Sequence, residues 1–314
     1  MKNYPISLLL AVLFILMLSS CQKEISEGNG ILPGTTTNPT NTALGDSNYL
    51  SRITYVQFQS GVSDTGITRF SFDNLKRVKG SSLNEQDYSD TTTYFYNGTE
   101  ALPFKMIMTS YDISGERDTT IKYFYYNSAS LLIRDSTMDM YRPAPPSNDL
   151  VSKTIGLNTY SGNKIYRDEQ TTDLYDPSGS YFPINYLDTF TLDANRNIID
   201  RRVMELSAGA VPVLTVNHIT YDTKPSPYIS LNINNIFPIE PGEIDLTAKQ
   251  LGSKNNRFTW SEELFFNGVS SGSVYHEDLT GLYTYKASGV PSILFVPYPG
   301  STDYDKTGFE YITL

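Results

Sequence analysis

Cysteine, histidine and basic residues are all scarce in this sequence of 314 residues. Its single cysteine excludes an intramolecular disulfide and a cluster of thiolate ligands. Its two histidines, His218 and His276, could form a zinc site only with carboxylates from distant parts of the chain. Lysine and arginine total 24 against 34 aspartates and glutamates, for a formal net charge of -10. Nucleic-acid recognition and docking on anionic lipid both need a basic surface, so this balance argues against both.

Catalytic and metal-binding motifs are also missing. Gly268–Gly272 fits the letter pattern G-x-S-x-G, but the segment lies between two strand-like stretches, and His276 follows too closely for the usual order of a triad. We therefore interpret it as a hairpin turn. Asp193–Asn197 begins like a calcium loop, yet Ile198 and Met204 stand where such a loop needs glycine and glutamate. We expect no metal, no cofactor and no enzymatic activity. A pair of carboxylates at glycosidase separation stays open among the acidic residues, which makes a glycan hydrolase the alternative.

Aromatic residues are abundant, with 24 tyrosines and 15 phenylalanines, and they favour strands over helices. Thr119–Ser136 shows the pattern: alternating side chains lead into an Asn-Ser-Ala-Ser turn, and a second strand returns. Variants of this hairpin recur from Tyr49 to the C-terminus, with turns rich in Asp, Asn, Ser and Gly. The sequence therefore predicts an all-β fold: an antiparallel meander of repeated hairpins in a strongly curved sheet or partly open barrel.

The same patterns divide the chain into three parts. Residues 1–20 read as a signal peptide, 21–47 as a cysteine followed by a disordered tether, and 48–314 as one all-β domain. Within the domain we expect a proline-rich excursion from the sheet at about 141–183, with short strand candidates at Lys153–Tyr160 and Lys164–Asp168. We also expect at most one or two short helices, and Ile244–Leu251 is the best candidate.

The N-terminus resembles that of a bacterial lipoprotein. The apolar run Leu8–Leu18 is too short for a comfortable membrane span, and it is followed by small residues and Cys21. This order is similar to the lipobox, whose cysteine becomes the lipidated N-terminus; the alternative is an ordinary signal peptide with a chance cysteine. Gln22-Lys23-Glu24 is partly similar to the signal that directs lipoproteins to the outer face of the outer membrane, or it is a charged linker. We expect the acyl chains to anchor the protein in the outer membrane, with the surface side favoured over the periplasmic side.

Two wider resemblances concern the fold. The hairpin unit, an aromatic strand with a Tyr and then Asp or Asn at the turn, is similar to the YD repeats of rearrangement-hot-spot proteins. The segments YDTKPSPY (Tyr221–Tyr228), LGSKNN (Leu251–Asn256) and YTYKASGVP (Tyr283–Pro291) resemble a family of uncharacterised bacterial lipoproteins. That resemblance implies a porin-like, curved antiparallel fold and a location in the cell envelope. It implies no catalytic residues.

The aromatic surplus is the remaining functional signal. Tyr123-Phe124-Tyr125-Tyr126 places aromatic rings on both faces of one strand, so one face packs in the core while the other packs under the excursion or lines a ligand groove. We take Tyr123, Tyr125, Tyr283 and Tyr285 as the candidate ligand-binding residues. The expected function is binding or scaffolding in the envelope, with a glycan or an envelope protein as ligand. An outer-membrane barrel is a further alternative, against which stand the lipobox and the non-aromatic C-terminal Leu314.

The lipid anchor can be tested directly. Replacing Cys21 by serine removes the sulfur that acyl transfer needs, so the Cys21→Ser variant should move from the detergent phase to the aqueous phase in a phase-partition assay. A variant that stays with the detergent would show that Cys21 is not the anchor.

Overall fold

The computed structural model describes residues 48–113, 115, 117–142, 149–173, 184–207, 212–231 and 253–314. The predicted signal peptide, Cys21, the predicted tether and the helix candidate Ile244–Leu251 lie outside these residues. Within them the chain forms seventeen strands and one 3₁₀ turn, Pro227–Leu231, and none of their helices is long and apolar enough to cross a membrane. The strands are β1 (Tyr49–Gln59), β2 (Val62–Phe72), β3 (Val78–Asn84), β4 (Tyr88–Phe95), β5 (Lys105–Asp112), β6 (Arg117–Tyr126), β7 (Leu132–Arg142), β8 (Asp149–Ser161), β9 (Lys164–Asp173), β10 (Ile184–Leu192), β11 (Ile198–Ser207), β12 (Val213–Pro225), β13 (Asn255–Phe266), β14 (Val269–Asp278), β15 (Tyr283–Tyr285), β16 (Pro291–Pro297) and β17 (Tyr304–Ile312).

All seventeen strands belong to one antiparallel sheet. Each strand from β1 to β13 pairs with the next along the chain. The last three strands extend the sheet on the other side, because β17 pairs with both β16 and β1 and β16 pairs with β15. In the part of the chain that the structure describes, the sheet is not closed into a barrel. The predicted antiparallel meander of hairpins is therefore confirmed.

Within the described residues, the proline-rich excursion predicted at 141–183 is wrong. Residues 149–173 form β8 and β9, which pair with β7 and β10 as regular members of the sheet. The prolines that indicated an excursion are at positions 143, 145, 146, 177 and 183, outside the described residues, whereas 149–173 contains no proline. Alternation, which was present at Lys153–Tyr160 and Lys164–Asp168, was the better guide to strand structure here.

The sheet curls around its main core. Ile53 of β1 and Phe124 of β6 belong to one buried cluster, although five strand spacings would separate them by about 24 Å in a flat sheet. Tyr228 and Leu231 of the 3₁₀ turn fill the same cluster from the concave side. A second, smaller cluster lies under β10 to β13 and consists of Phe190, Leu192, Ile198, Ile219 and Trp260. The concave face therefore holds the core, and the opposite face points outward.

One type of turn recurs at the end of the sheet where the core lies. Asp73, Asn127 and Asp193 each open a turn in which their side-chain oxygen accepts a hydrogen bond from the backbone N–H four residues later, at 3.0, 3.0 and 2.8 Å. The fourth residue of each turn has the left-handed backbone that closes it: Lys76, Ser130 and Arg196. The sixth residue is apolar and buried in each case: Val78, Leu132 and Ile198. Each turn therefore delivers the first residue of its return strand into the core.

Tyrosine hydroxyls bind these turn ends to the neighbouring strands. Tyr96 donates a hydrogen bond to the carbonyl of Val78 at 2.7 Å, and Tyr221 donates to that of Ile198 at 2.8 Å. Three more tyrosines make the same kind of bond to a carbonyl near the start of a strand: Tyr126 to Pro103, Tyr160 to Leu132 and Tyr311 to Pro291. Burial raises the pKa of all five hydroxyls, to about 12 for Tyr160, so they stay protonated donors at neutral pH.

Removing one of these hydroxyls should weaken the fold without changing its shape. We expect Tyr311→Phe and Tyr96→Phe each to lower the free energy of unfolding by about 1 kcal/mol, because a partly buried hydrogen bond is lost while the ring is kept. Tyr125→Phe is the matched control, since that residue is 46% exposed on the outward face, and it should change stability by less than about 0.5 kcal/mol. Urea unfolding followed by circular dichroism measures all three, and equal effects would contradict the proposed role of the hydroxyls.

Candidate functional site

The concave face carries an ionic cluster formed by Lys122, Asp135, Arg167 and Glu169, all of them buried. Arg167 donates to both oxygens of Asp135, at 2.5 and 3.1 Å, and to one oxygen of Glu169 through Nε and Nη2, at 2.9 and 2.6 Å. Its fifth donor reaches Asn158 at 3.4 Å. Burial alone lowers the pKa of a guanidinium, but the carboxylates raise that of Arg167 overall, so it stays charged. Its five donors all have partners within the cluster, which leaves it no donor for a ligand.

A glycine makes room for this guanidinium. Gly156 lies on β8 across from Glu169, and a Cβ built on it would lie 2.2 Å from Cζ and from both Nη atoms of Arg167. Any side chain at this position would therefore collide with the guanidinium. The need for glycine here comes from space, since its backbone is not among the described residues with positive φ.

A second buried ion pair lies next to the cluster. Arg201 Nη2 is 3.2 Å from Asp188 Oδ2, and Asp188 is the cross-strand neighbour of Arg167. Burial raises the pKa of Asp188 to about 6, although the charge of Arg201 opposes the shift. These groups fix the inward face of β9, β10 and β11. Their burial argues for a structural role.

The outward face of the same three strands carries a cleft of about 530 Å³. We call it the outer cleft; it is lined by Lys164, Tyr166, Thr189, Thr191, Asp200 and Arg202. Its shape follows from side-chain length. At the cleft, the central strand β10 contributes two threonines, whereas β9 contributes a lysine and a tyrosine and β11 an aspartate and an arginine. Short side chains make the floor and long ones make the two walls, which lie about 10 Å apart between strand axes.

Two rows of cross-strand neighbours set the chemistry of the outer cleft. Lys164, Thr191 and Asp200 form one row, and Tyr166, Thr189 and Arg202 form the next. Asp200 lies 3.3 Å from Nε of Arg202 and 3.1 Å from Nδ1 of His218 on β12. Tyr166 is 43% exposed, and the side chain of Arg202 is 60% exposed. The cleft thus combines an accessible aromatic ring, two hydroxyls, one carboxylate and two cations.

The structure does not bring the four predicted tyrosines together. Tyr123 and Tyr125 point outward from β6, where Lys105 and Arg134 lie over their rings at 5.2 and 5.3 Å from the centroids. Tyr283 is only 7% exposed and belongs to the main core. Its prediction as an accessible ligand-binding residue is therefore wrong, because β15 presents this side chain to the concave face beside Leu294.

Tyr285 packs against the same core, so it does not form a binding face with Tyr123 and Tyr125. Its hydroxyl lies 2.5 Å from Asp222 Oδ2, to which it donates a hydrogen bond. That bond joins the β15–β16 hairpin to the end of β12. Tyr123 and Tyr125 stay candidates as outward-facing tyrosines, but they lie outside the outer cleft.

No protein-family model matches this chain, and no curated protein matches it. The fold is similar to that of porin-like proteins from Bacteroides. A structure of one from Bacteroides vulgatus ATCC 8482 matches with a TM-score of 0.50 at 11% identity, covering 85% of this chain and 100% of the other. Another from Bacteroides uniformis ATCC 8492 has a TM-score of 0.43 at 14% identity, covering 84% and 97%. The first likeness supports the porin-like antiparallel fold that the lipoprotein resemblance implies.

The two rejected motifs are turns in this porin-like fold. Gly268 and Asn267 have positive φ and form the hairpin between β13 and β14, so the segment with the G-x-S-x-G pattern begins as a turn, as predicted. Asp193 accepts hydrogen bonds from the backbone N–H and from the side-chain amide of Asn197, at 2.8 and 2.9 Å. Its carboxylate therefore stabilises the turn.

Sequence reasoning missed the outer cleft. The sequence predicts a short strand at Lys164–Asp168 but places it in an excursion from the sheet, so it does not indicate which strands lie beside it. The signal that could have found the cleft is the alternation Lys164-x-Tyr166 opposite Thr189-x-Thr191 and Asp200-x-Arg202. It becomes visible only when β9, β10 and β11 are placed side by side in register.

Filling the space at Gly156 should disrupt the ionic cluster. We expect Gly156→Ala to lower the free energy of unfolding by about 3 kcal/mol or more, because the methyl group displaces a buried, fully paired guanidinium. Gly308→Ala is the matched control on β17, where a Cβ meets only a carbonyl oxygen at 3.9 Å, and it should be neutral or slightly stabilising. Urea unfolding of the two variants measures the difference, and a tolerated Gly156→Ala would contradict this account of the cluster.

Proposed function

We propose that this protein is a lipid-anchored binding protein of the bacterial outer membrane that captures a saccharide in its outer cleft. The single observation that carries the proposal is the cleft on β9 to β11, with an exposed tyrosine ring on one wall and hydrogen-bonding groups on the floor and the opposite wall. The saccharide is the occupant because its two kinds of surface match the two kinds of wall.

A sugar ring has apolar faces of C–H groups and an edge of hydroxyls. The exposed face of Tyr166 offers the apolar body and polar tip that suit such a ring. Thr189 and Thr191 supply hydroxyls that both donate and accept, and Asp200 and Arg202 supply a charged acceptor and a planar donor. A few directed polar groups beside an apolar platform are typical of small-ligand sites.

Binding is favoured over hydrolysis by the carboxylates of the cleft. Glycoside hydrolysis uses a pair of carboxyl groups, one of which carries a proton. Among the residues that line the cleft, Asp200 is the one acidic side chain, and it is already engaged with Arg202 and His218. Asp200 is therefore placed to orient Arg202 and His218 and to accept a hydrogen bond from a sugar hydroxyl.

The predicted lipid anchor is consistent with a protein that binds saccharides at the membrane surface. Cys21 follows the apolar run in the lipobox-like order, and 26 residues separate it from Asn48. A chain of that length and composition has a reach of roughly 25–30 Å. The first strand begins at Tyr49, directly after this stretch. A protein held in this way would present the outward face of its sheet to polymers near the membrane.

Affinity electrophoresis tests the proposal. The lipid-free protein is run through native gels that contain a panel of soluble bacterial and plant polysaccharides, and at least one should retard the wild type. Tyr166→Ala should weaken this binding tenfold or more, or about 1.4 kcal/mol, because it removes the stacking platform. Its melting temperature should stay close to that of the wild type, since the side chain is exposed.

Tyr111→Ala is the matched control for this test. Tyr111 on β5 is an equally exposed tyrosine, 44% against 43%, but it lies outside the cleft and is not a candidate ligand-binding residue. Its replacement should leave retardation unchanged. The proposal would be overturned if no polysaccharide retarded the wild type, or if Tyr111→Ala weakened binding as much as Tyr166→Ala.

A further inference from the structure

The outer cleft has the opposite charge balance to the whole protein. The chain carries a formal net charge of -10, yet the cleft is lined by two cations, Lys164 and Arg202, and by one carboxylate, Asp200. A surface that is acidic overall would repel an anionic polymer, so a local excess of positive charge at a binding cleft favours anionic groups there.

The two cations stand on opposite walls. Lys164 belongs to β9 and Arg202 to β11, with the threonine floor of β10 between them. Tyr166 is two residues from Lys164 on the same face, about 7 Å along the strand, and is in the same cross-strand row as Arg202. A ring stacked on Tyr166 would therefore lie within reach of a cation on each side.

Asp200 contacts only part of the guanidinium of Arg202. Asp200 lies 3.3 Å from Nε of Arg202, and the Arg202 side chain is 60% exposed. A guanidinium binds carboxylate or sulfate best through two parallel N–H donors, and the contact with Asp200 does not use the terminal Nη groups. Asp200 also lies 3.1 Å from His218, so we regard it as a positioning residue for the cationic wall.

We infer that the saccharide bound in the outer cleft is acidic, with a carboxylate or sulfate group placed between Lys164 and Arg202. The inference rests on the proposed function, because it names the class of ligand for the same cleft. Carboxylate and sulfate share the chemistry that the two cations recognise, namely a planar or tetrahedral group of anionic oxygens.

Two matched pairs of probes test the inference by isothermal titration and affinity electrophoresis. Polygalacturonate and its methyl ester differ in carboxylate charge on one backbone, and dextran sulfate and dextran differ in sulfate. We expect at least one anionic probe to bind tenfold or more tightly than its neutral counterpart. Which pair shows the difference identifies the acidic group.

Variants then locate the charge recognition. Lys164→Met and Arg202→Met should each weaken binding of the anionic probe fivefold or more and change binding of its neutral counterpart less than twofold. Arg202→Lys should restore only part of the affinity, because an ammonium cannot make the two parallel bonds of a guanidinium. Lys153→Met is the control, since it removes the same charge from an exposed position on β8 outside the cleft.

The outcomes separate the two claims. If the anionic probes bound no more tightly than their neutral counterparts, and binding depended on Tyr166 but not on Lys164 or Arg202, the acidic ligand would be overturned and the saccharide cleft would stand. An equal loss in Lys153→Met would also overturn the inference, because it would assign the charge effect to the surface as a whole. Absence of binding by all four probes, together with no retardation across the polysaccharide panel, would overturn both.

Discussion

The placement of the outer cleft depends on the burial of Arg167 on the concave face. Successive residues of a strand point to opposite faces, so a guanidinium locked inside by Asp135 and Glu169 directs Tyr166 outward. A slip by one residue would bring Tyr166 into the ionic cluster and leave a buried carboxylate without its partner. The interior charges therefore specify the register of the strand that carries one wall of the cleft.

The same logic holds for the two neighbouring strands. Asp188 is buried on β10, which places Thr189 outward, and Arg201 is buried on β11, which places Asp200 and Arg202 on either side of it. Asp188 lies across from Arg167 and binds Arg201, so one connected set of charges fixes three strands together. Buried ion pairs add little net stability, but they penalise every register in which they are separated.

A different interaction holds the ends of the hairpins. The turns opened by Asp73, Asn127 and Asp193 use a short acceptor side chain to close the loop. The tyrosines then bind carbonyls at the starts of neighbouring strands, where an edge of the sheet would otherwise fray. This arrangement accounts for part of the high tyrosine content, which a ligand groove is not needed to explain.

The sequence predicted the strands and their alternation well, because both are local. It separates Tyr123 from Phe124 by face, and it identifies the turn at Asn127 from residue type. It did not say which face is the core. That choice is made by partners far along the chain, as when Lys122 meets Asp135 and Asp135 meets Arg167.

The sequence does not place β8 and β9 in the sheet for the same reason. Composition averaged over 141–183 gives weight to prolines outside 149–173, and only pairing with β7 and β10 shows that 149–173 is regular sheet. The outer cleft needed still more information. It arises from differences in side-chain length across three strands, which no single strand contains.

The two faces of the sheet consequently differ in what they can bind. On the concave side of the described residues, Arg167 has a partner for each of its donors, and the core cluster packs around the 3₁₀ turn. A ligand there would have to replace contacts on which the register depends.

On the outward side, Tyr166 and Arg202 are exposed while their backbone is held from beneath. A ligand can engage them without disturbing the core, and rigid support of this kind reduces the ordering cost of binding. The interior charges thus act on recognition indirectly, by holding the cleft in a shape that is ready to bind.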